Sequence, residues 1–122
     1  MPSASSTNPA PVAITLHQKS RVLEIEYADG RTFRLSCEFL RVFSPSAEVR
    51  GHGPGQEVLQ TGKKDVDIVR VEPVGSYAVQ LVFSDGHDTG IFSFDLLYDY
   101  GLKQERMWAG YLERLGKEGG AR

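Results

Sequence analysis

A strand, an Asp-Gly turn and a second strand occur in that order twice, and no other feature restricts the fold of this chain so strongly. Val22-Leu-Glu-Ile-Glu-Tyr-Ala-Asp-Gly-Arg31 aligns without a gap on Ala78-Val-Gln-Leu-Val-Phe-Ser-Asp-Gly-His87. An Asp-Gly pair between β-prone apolar runs supplies the positive φ that a tight hairpin turn needs, so each copy predicts two antiparallel strands. With one inserted residue the match continues, Cys37-Glu38-Phe39-Leu40 on Phe94-Asp95-Leu96-Leu97. The likeness is either that of any two hairpins or a true repeat. In the second case two similar units pack face to face, and Arg31 and His87 occupy equivalent turn exits.

The remaining pattern extends this to an α+β, β-rich fold: antiparallel hairpins forming two packed sheets with a C-terminal amphipathic helix. Strands are predicted at 13–16, 21–27 and 31–35, followed by a short helical turn at 37–41. A second set is predicted at 66–72, 77–83 and 89–94, with a turn at 73–76. Residues 44–50 follow neither period. Residues 51–56 hold three glycines and a proline, a composition in which no regular element survives. At 102–115, Met107, Trp108, Tyr111, Leu112 and Leu115 form one apolar helical stripe. Gly110 interrupts it at a cost of about 1 kcal/mol relative to alanine, so docking on the sheets must hold this helix.

With 122 residues the chain has the length of one domain, able to bury about two-thirds of its unfolded surface. Residues 12–115 are expected to fold. The small, proline-rich residues 1–11 are expected to be a disordered tail, and the glycine-rich residues 116–122 to fray. Fourteen Lys+Arg against sixteen Asp+Glu leave a net charge of −2, which argues against nucleic acid as a partner. No apolar run approaches the length of a membrane span, and the start lacks the pattern of a secretory signal, so a cytoplasmic protein away from membranes is expected. Cys37 is the only cysteine, which excludes an internal disulfide, a four-cysteine zinc knuckle and a self-sufficient Fe–S site.

Few residues speak for chemistry. Of the three histidines, His17 reads as a solvated turn residue. His52 lies in the glycine-rich loop beside Gly53 and Gln56, where a ligand or another backbone could approach closely, or it caps a carbonyl there. His87 follows an Asp-Gly turn and is either polarised by a neighbouring carboxylate or structural. His52 and His87 are the weak candidates for a metal, without the spacing of a zinc helix. Cys37 sits in apolar company and reads as a buried, inert thiol. Ser44 and Ser46 have no visible base, and there is neither a nucleophile elbow nor a P-loop. Arg34, Arg41, Arg50 and Arg70 read as solvated, or as a face for an acidic partner.

Phe39-Leu-Arg-Val-Phe-Ser-Pro-Ser-Ala-Glu-Val-Arg-Gly-His-Gly-Pro-Gly-Gln56, followed by Phe83-Ser-Asp-Gly-His-Asp-Thr-Gly-Ile-Phe92 and Asp95-Leu-Leu97, resembles the small bacterial family related to the N-terminal domain of gamma-butyrobetaine hydroxylase. The likeness covers about 14–100. It implies a compact β-rich domain that occurs alone, at the front of carnitine-synthesis dioxygenases, and attached to P-loop ATPases that carry Fe–S clusters. In the hydroxylases such a domain holds a structural zinc through three cysteines after a Leu-Arg pair and one histidine after an Asp-x-His turn. Leu40-Arg41 matches the pair, the cysteine places fall near Ser44, Ser46 and Val49, and the histidine falls on His87. Only His87 keeps a ligand, so the zinc of the related domains is expected to be absent and no cofactor is predicted. The oxygenase site belongs to a separate domain. The expectation is a non-catalytic interaction or accessory module with a protein partner, linked through its relatives to Fe–S or metal-dependent proteins. Its binding surface is expected at Arg41, Ser44, Ser46, His52, Gly53, Gln56 and His87. The alternative is a small metal- or ligand-binding protein using His52 and His87.

Overall fold

The computed structural model describes residues 8–51 and 57–122. Strands β1 (Pro11–His17), β2 (Val22–Tyr27) and β3 (Thr32–Ser36) form one antiparallel sheet in that order, and a six-residue helix α1 (Cys37–Val42) follows. One helical turn, α2 (Ala47–Arg50), precedes the second sheet, in which β4 (Ile68–Val74), β5 (Ala78–Phe83) and β6 (Ile91–Ser93) again lie in sequence order. Helix α3 (Phe94–Glu118) closes the chain.

The repeat is structural as well as sequential. In the first hairpin the Tyr27 amide donates to the Arg31 carbonyl at 2.8 Å and the Gly30 amide to Tyr27 at 3.0 Å. In the second, Phe83 donates to His87 at 3.0 Å and Gly86 to Phe83 at 3.0 Å. Gly30 and Gly86 have φ of 88° and 90°, the left-handed conformation for which Asp-Gly is suited. Each unit then ends in a serine-capped helix. The Ser36 hydroxyl accepts from the Phe39 amide and the Ser93 hydroxyl from the Leu96 amide, both at 3.0 Å.

Alternation sends Leu23, Ile25 and Tyr27 of β2 inward with Leu35, and Val79, Leu81 and Phe83 of β5 inward with Phe92; these form one core with Phe39, Leu40 and Leu97. Each such side chain contributes about 1.5–3 kcal/mol on burial. Tyr27, Phe33 and Tyr98 stack edge to face at centroid distances of 4.9–5.8 Å. The Tyr27 hydroxyl donates to the Phe94 carbonyl at 2.8 Å, tying the first sheet to the start of α3.

Several boundaries differ from the sequence expectation, and β1 already begins at Pro11, inside the expected tail 1–11. Helix α3 begins at Phe94, so β6 is only three residues long. Phe94, the last residue of the predicted strand 89–94, is the first of the helix, where it packs with Leu97 and Tyr98 on the core. Within this helix Gly101 allows close approach to β3, since a Cβ there would lie 2.3 Å from the Phe33 ring. Pro73, read as a turn, stays in β4, an edge strand where a missing amide is tolerated. At the other end composition points to fraying from Gly116, whereas α3 runs to Glu118 and is closed by Gly119 at φ 68°. Arg122 then grips the buried Glu38 carboxylate through two bonds of 3.0 and 2.7 Å and lies over the Trp108 ring. That partner is 84 residues away and invisible to local composition.

Candidate functional site

Between α1 and α2 the chain carries Ser44 and Ser46 back against the β5–β6 turn. There the His87 imidazole, 4% exposed, meets them. Its Nε2 lies 2.8 Å from the Ser44 hydroxyl and 3.3 Å from that of Ser46, and its Nδ1 lies 3.1 Å from Glu48 Oε1. With Nδ1 facing a carboxylate, the proton is assigned to Nδ1, and Nε2 accepts from the Ser44 hydroxyl. Burial and the Arg41 charge lower the His87 pKa, with Glu48 opposing, so the neutral ring is favoured. Thr89 donates to the same Glu48 oxygen at 2.9 Å.

Asp85, at the tip of the same turn, accepts from Arg41 Nε and Lys63 Nζ, both at 2.9 Å, and from the His87 amide at 3.2 Å. Burial works to raise its carboxyl, but the bonds from Lys63, His87 and Arg41 outweigh it and hold the pKa at about 2. Gly90 makes the close approach possible, since a Cβ there would stand 2.3 Å from the Ser44 oxygen. Helix α1, α2 and the second hairpin are thus cross-linked through side chains.

Ser44, His87 and Glu48 have the connectivity of a hydrolase relay, but their exposure runs the opposite way. A relay hides the carboxylate and presents the hydroxyl to substrate. Here Ser44 is 1% exposed and the Glu48 side chain 64%. The arrangement supports cross-linking rather than attack. Nor do the donors suit the zinc described for the related hydroxylase domains. Its matched places hold two hydroxyls and Val49, both His87 nitrogens already have partners, and no group of three or more His, Cys, Asp or Glu gathers among the described residues. Cys37 is buried, and burial raises its thiol pKa, as an inert thiol requires.

On the other side of Ser44 a groove of about 800 Å³ opens between α3 and residues of the stretches 42–51 and 57–60. Val42, Val49, Val58, Met107 and Tyr111 supply apolar surface, and Arg50, Arg106 and Arg114 stand around it. Its far lip is fastened on several sides. The Val58 amide donates to Val49 at 2.8 Å, Arg41 to the Gln60 side chain at 3.0 Å, Tyr111 to the Gln60 carbonyl at 2.7 Å, and Arg114 to the Glu57 carbonyl at 3.0 Å.

Of the expected site residues, Arg41, Ser44, Ser46 and His87 come together, all buried. Their polar groups face one another, and among them Ser44 alone lines the groove. His52, Gly53 and Gln56 lie outside the described residues. Sequence reasoning missed Glu48 and Gln60, and weighed Asp85, with Asp88, only as a carboxylate near His87 for a weak metal site. The search for a base near Ser44 failed because His87 is 43 residues away. It also missed the groove, although Gly110 in a good helical stripe was a signal for it.

Known proteins share this architecture. Two proteins with solution NMR structures are 47% and 51% identical to this chain, with TM-scores of 0.81 and 0.83. The first alignment covers 94% of this chain and 90% of the other, the second 97% and 88%. A crystal structure of a protein of unknown function from Acidithiobacillus ferrooxidans, described as belonging to the DUF971 family, is 45% identical with a TM-score of 0.63, over 76% of this chain and 93% of that one. No curated protein matches. The family model for gamma-butyrobetaine hydroxylase-like, N-terminal domains matches residues 14–98, which span both hairpins, the His87 cluster and the start of α3, and the chain belongs to that family.

Proposed function

We propose that this chain is a non-catalytic binding module, an accessory protein whose protein partner docks on the groove along α3. The observation that carries this reading is the groove itself, about 800 Å³ of largely apolar concavity beside a polar cluster whose groups satisfy one another. Pockets of this size and lining are where proteins take their ligands. The inverted exposure of Ser44 and Glu48 supports a role without catalysis. The likeness to domains attached to dioxygenases and to Fe–S-carrying ATPases supports a metal-dependent partner, met in the cytoplasm. No helix among the described residues is long and apolar enough to cross a membrane.

Affinity capture from native cells, with the unmodified chain and a Gly110→Trp variant as bait, tests this. A Cβ at Gly110 meets nothing within 4 Å and the residue lines the groove, so a larger side chain placed there is directed at the groove. The expected result is a partner retained by the unmodified chain and lost by the variant. Partners unchanged by a filled groove would refute the assignment.

A further inference from the structure

Gly110 is the one helix position whose residue makes the groove deeper at the expense of the helix. Met107, Gly110, Tyr111 and Arg114 line the groove at i, i+3, i+4 and i+7, a single face of α3. Glycine costs a helix about 1 kcal/mol relative to alanine, and neither reason for a glycine seen elsewhere applies here. Its φ is not positive, and no neighbouring atom crowds it. What it leaves is bare helix backbone in an apolar trough running from Tyr100 to Arg114, about 21 Å at the helical rise.

The charge around that trough has one sign in excess. Arg50, Arg106 and Arg114 line it against Glu57. Arg114 is paired with Glu118, and the Arg50 charge is felt at the Tyr100 hydroxyl. Arg106 is exposed and makes no ion pair among the described residues. In a chain of net charge −2 this is a local basic rim. Burial of apolar side chains at the centre with charge pairing at the rim is the usual anatomy of a peptide groove.

We propose that the groove takes a chain segment of the partner protein that carries apolar side chains together with at least one carboxylate, the apolar groups lying over Gly110 against Val49, Met107 and Tyr111 and the carboxylate meeting Arg106. The proposal rests on the groove being the binding surface and adds the chemistry of its occupant. Short random peptides displayed on phage, selected against the full chain and then synthesised, provide the probe, read by fluorescence anisotropy. Selected sequences are expected to combine Asp or Glu with large apolar residues. They are expected to weaken about tenfold or more in Gly110→Trp and in Arg106→Glu, and to weaken as salt is raised. Both variants are checked by thermal melting, and Arg106, being exposed, keeps the test valid if the tryptophan variant melts early.

Peptides without carboxylates, or binding indifferent to Arg106→Glu, overturn the proposed chemistry while Gly110→Trp still abolishes binding and the groove reading stands. Peptides indifferent to both variants overturn both. Dodecanoate binding where no peptide is selected, or a concentration-dependent dimer that Gly110→Trp dissolves, also overturns the proposal in favour of a small anion or a second copy of the chain.

Discussion

The His87 cluster and the groove along α3 share Ser44 and little else. On one side of that residue, Ser44, Ser46 and Glu48 all meet the imidazole. On the other, apolar side chains line the groove with Arg106, which makes no ion pair among the described residues. A buried polar cluster holds only when every member has a partner, because each unsatisfied group costs roughly 1–3 kcal/mol. The groove is held from behind by such bonds, while its wall presents apolar side chains. The difference teaches that the side chains most suggestive of chemistry are here the framework, while the plainer apolar wall is the surface available to a partner.

The comparison can be broken most forcefully at Gly90. Alanine there must displace the Ser44 oxygen from 2.3 Å, and urea unfolding should show a loss of about 2–3 kcal/mol, as overpacking does. His87→Ala removes the partner of Ser44 and Glu48 and is expected to cost about 2 kcal/mol by the same measurement.

The pH dependence sharpens the same contrast. The folded state lowers the His87 pKa, so its contribution is complete above the ordinary value of 6.5 and declines as the pH falls below it, where the unfolded chain takes up the proton first. Melting temperature should therefore drop between about pH 7 and pH 5, and His87→Ala should flatten that slope. Asp85, held at about 2, contributes fully above its ordinary 3.8 and loses its share only below it, a separate window.

On the groove side the effects are smaller. Tyr111→Phe removes the bond to the Gln60 carbonyl and should cost about 1 kcal/mol while speeding amide exchange at 58–60. Gly110→Ala should stabilise the chain by about 0.5–1 kcal/mol, since the site is helical and its surroundings are open. A loss there instead would mean that the groove wall depends on glycine.

The legibility of these features follows from how local their causes are. Both Asp-Gly hairpins, the alternation of Leu23, Ile25 and Tyr27, and the burial of Cys37 follow from residues a few places apart, and the structure holds them all. The start of α3 was hidden because Phe94, Tyr98 and Tyr100 favour strands, and packing overrode that preference. The C-terminal residues looked loose because Arg122 finds Glu38 only in the folded chain. Arg31 and His87 show the limit most clearly. They leave equivalent turns, yet Arg31 pairs locally with Asp29 whereas His87 reaches Ser44 and Glu48.

By itself the sequence determined two hairpin units, their turns and the apolar stripe of α3, because hydrogen-bonded turns and side-chain periodicity act over two to four residues. Only the tertiary structure decided that Ser44 is sealed by His87 and Gly90, that Glu48 rather than Ser44 meets solvent, and that Gly110 faces an open trough. Those outcomes depend on how two sheets and a helix seat against one another, and that seating is set by the close packing of side chains far apart in the chain.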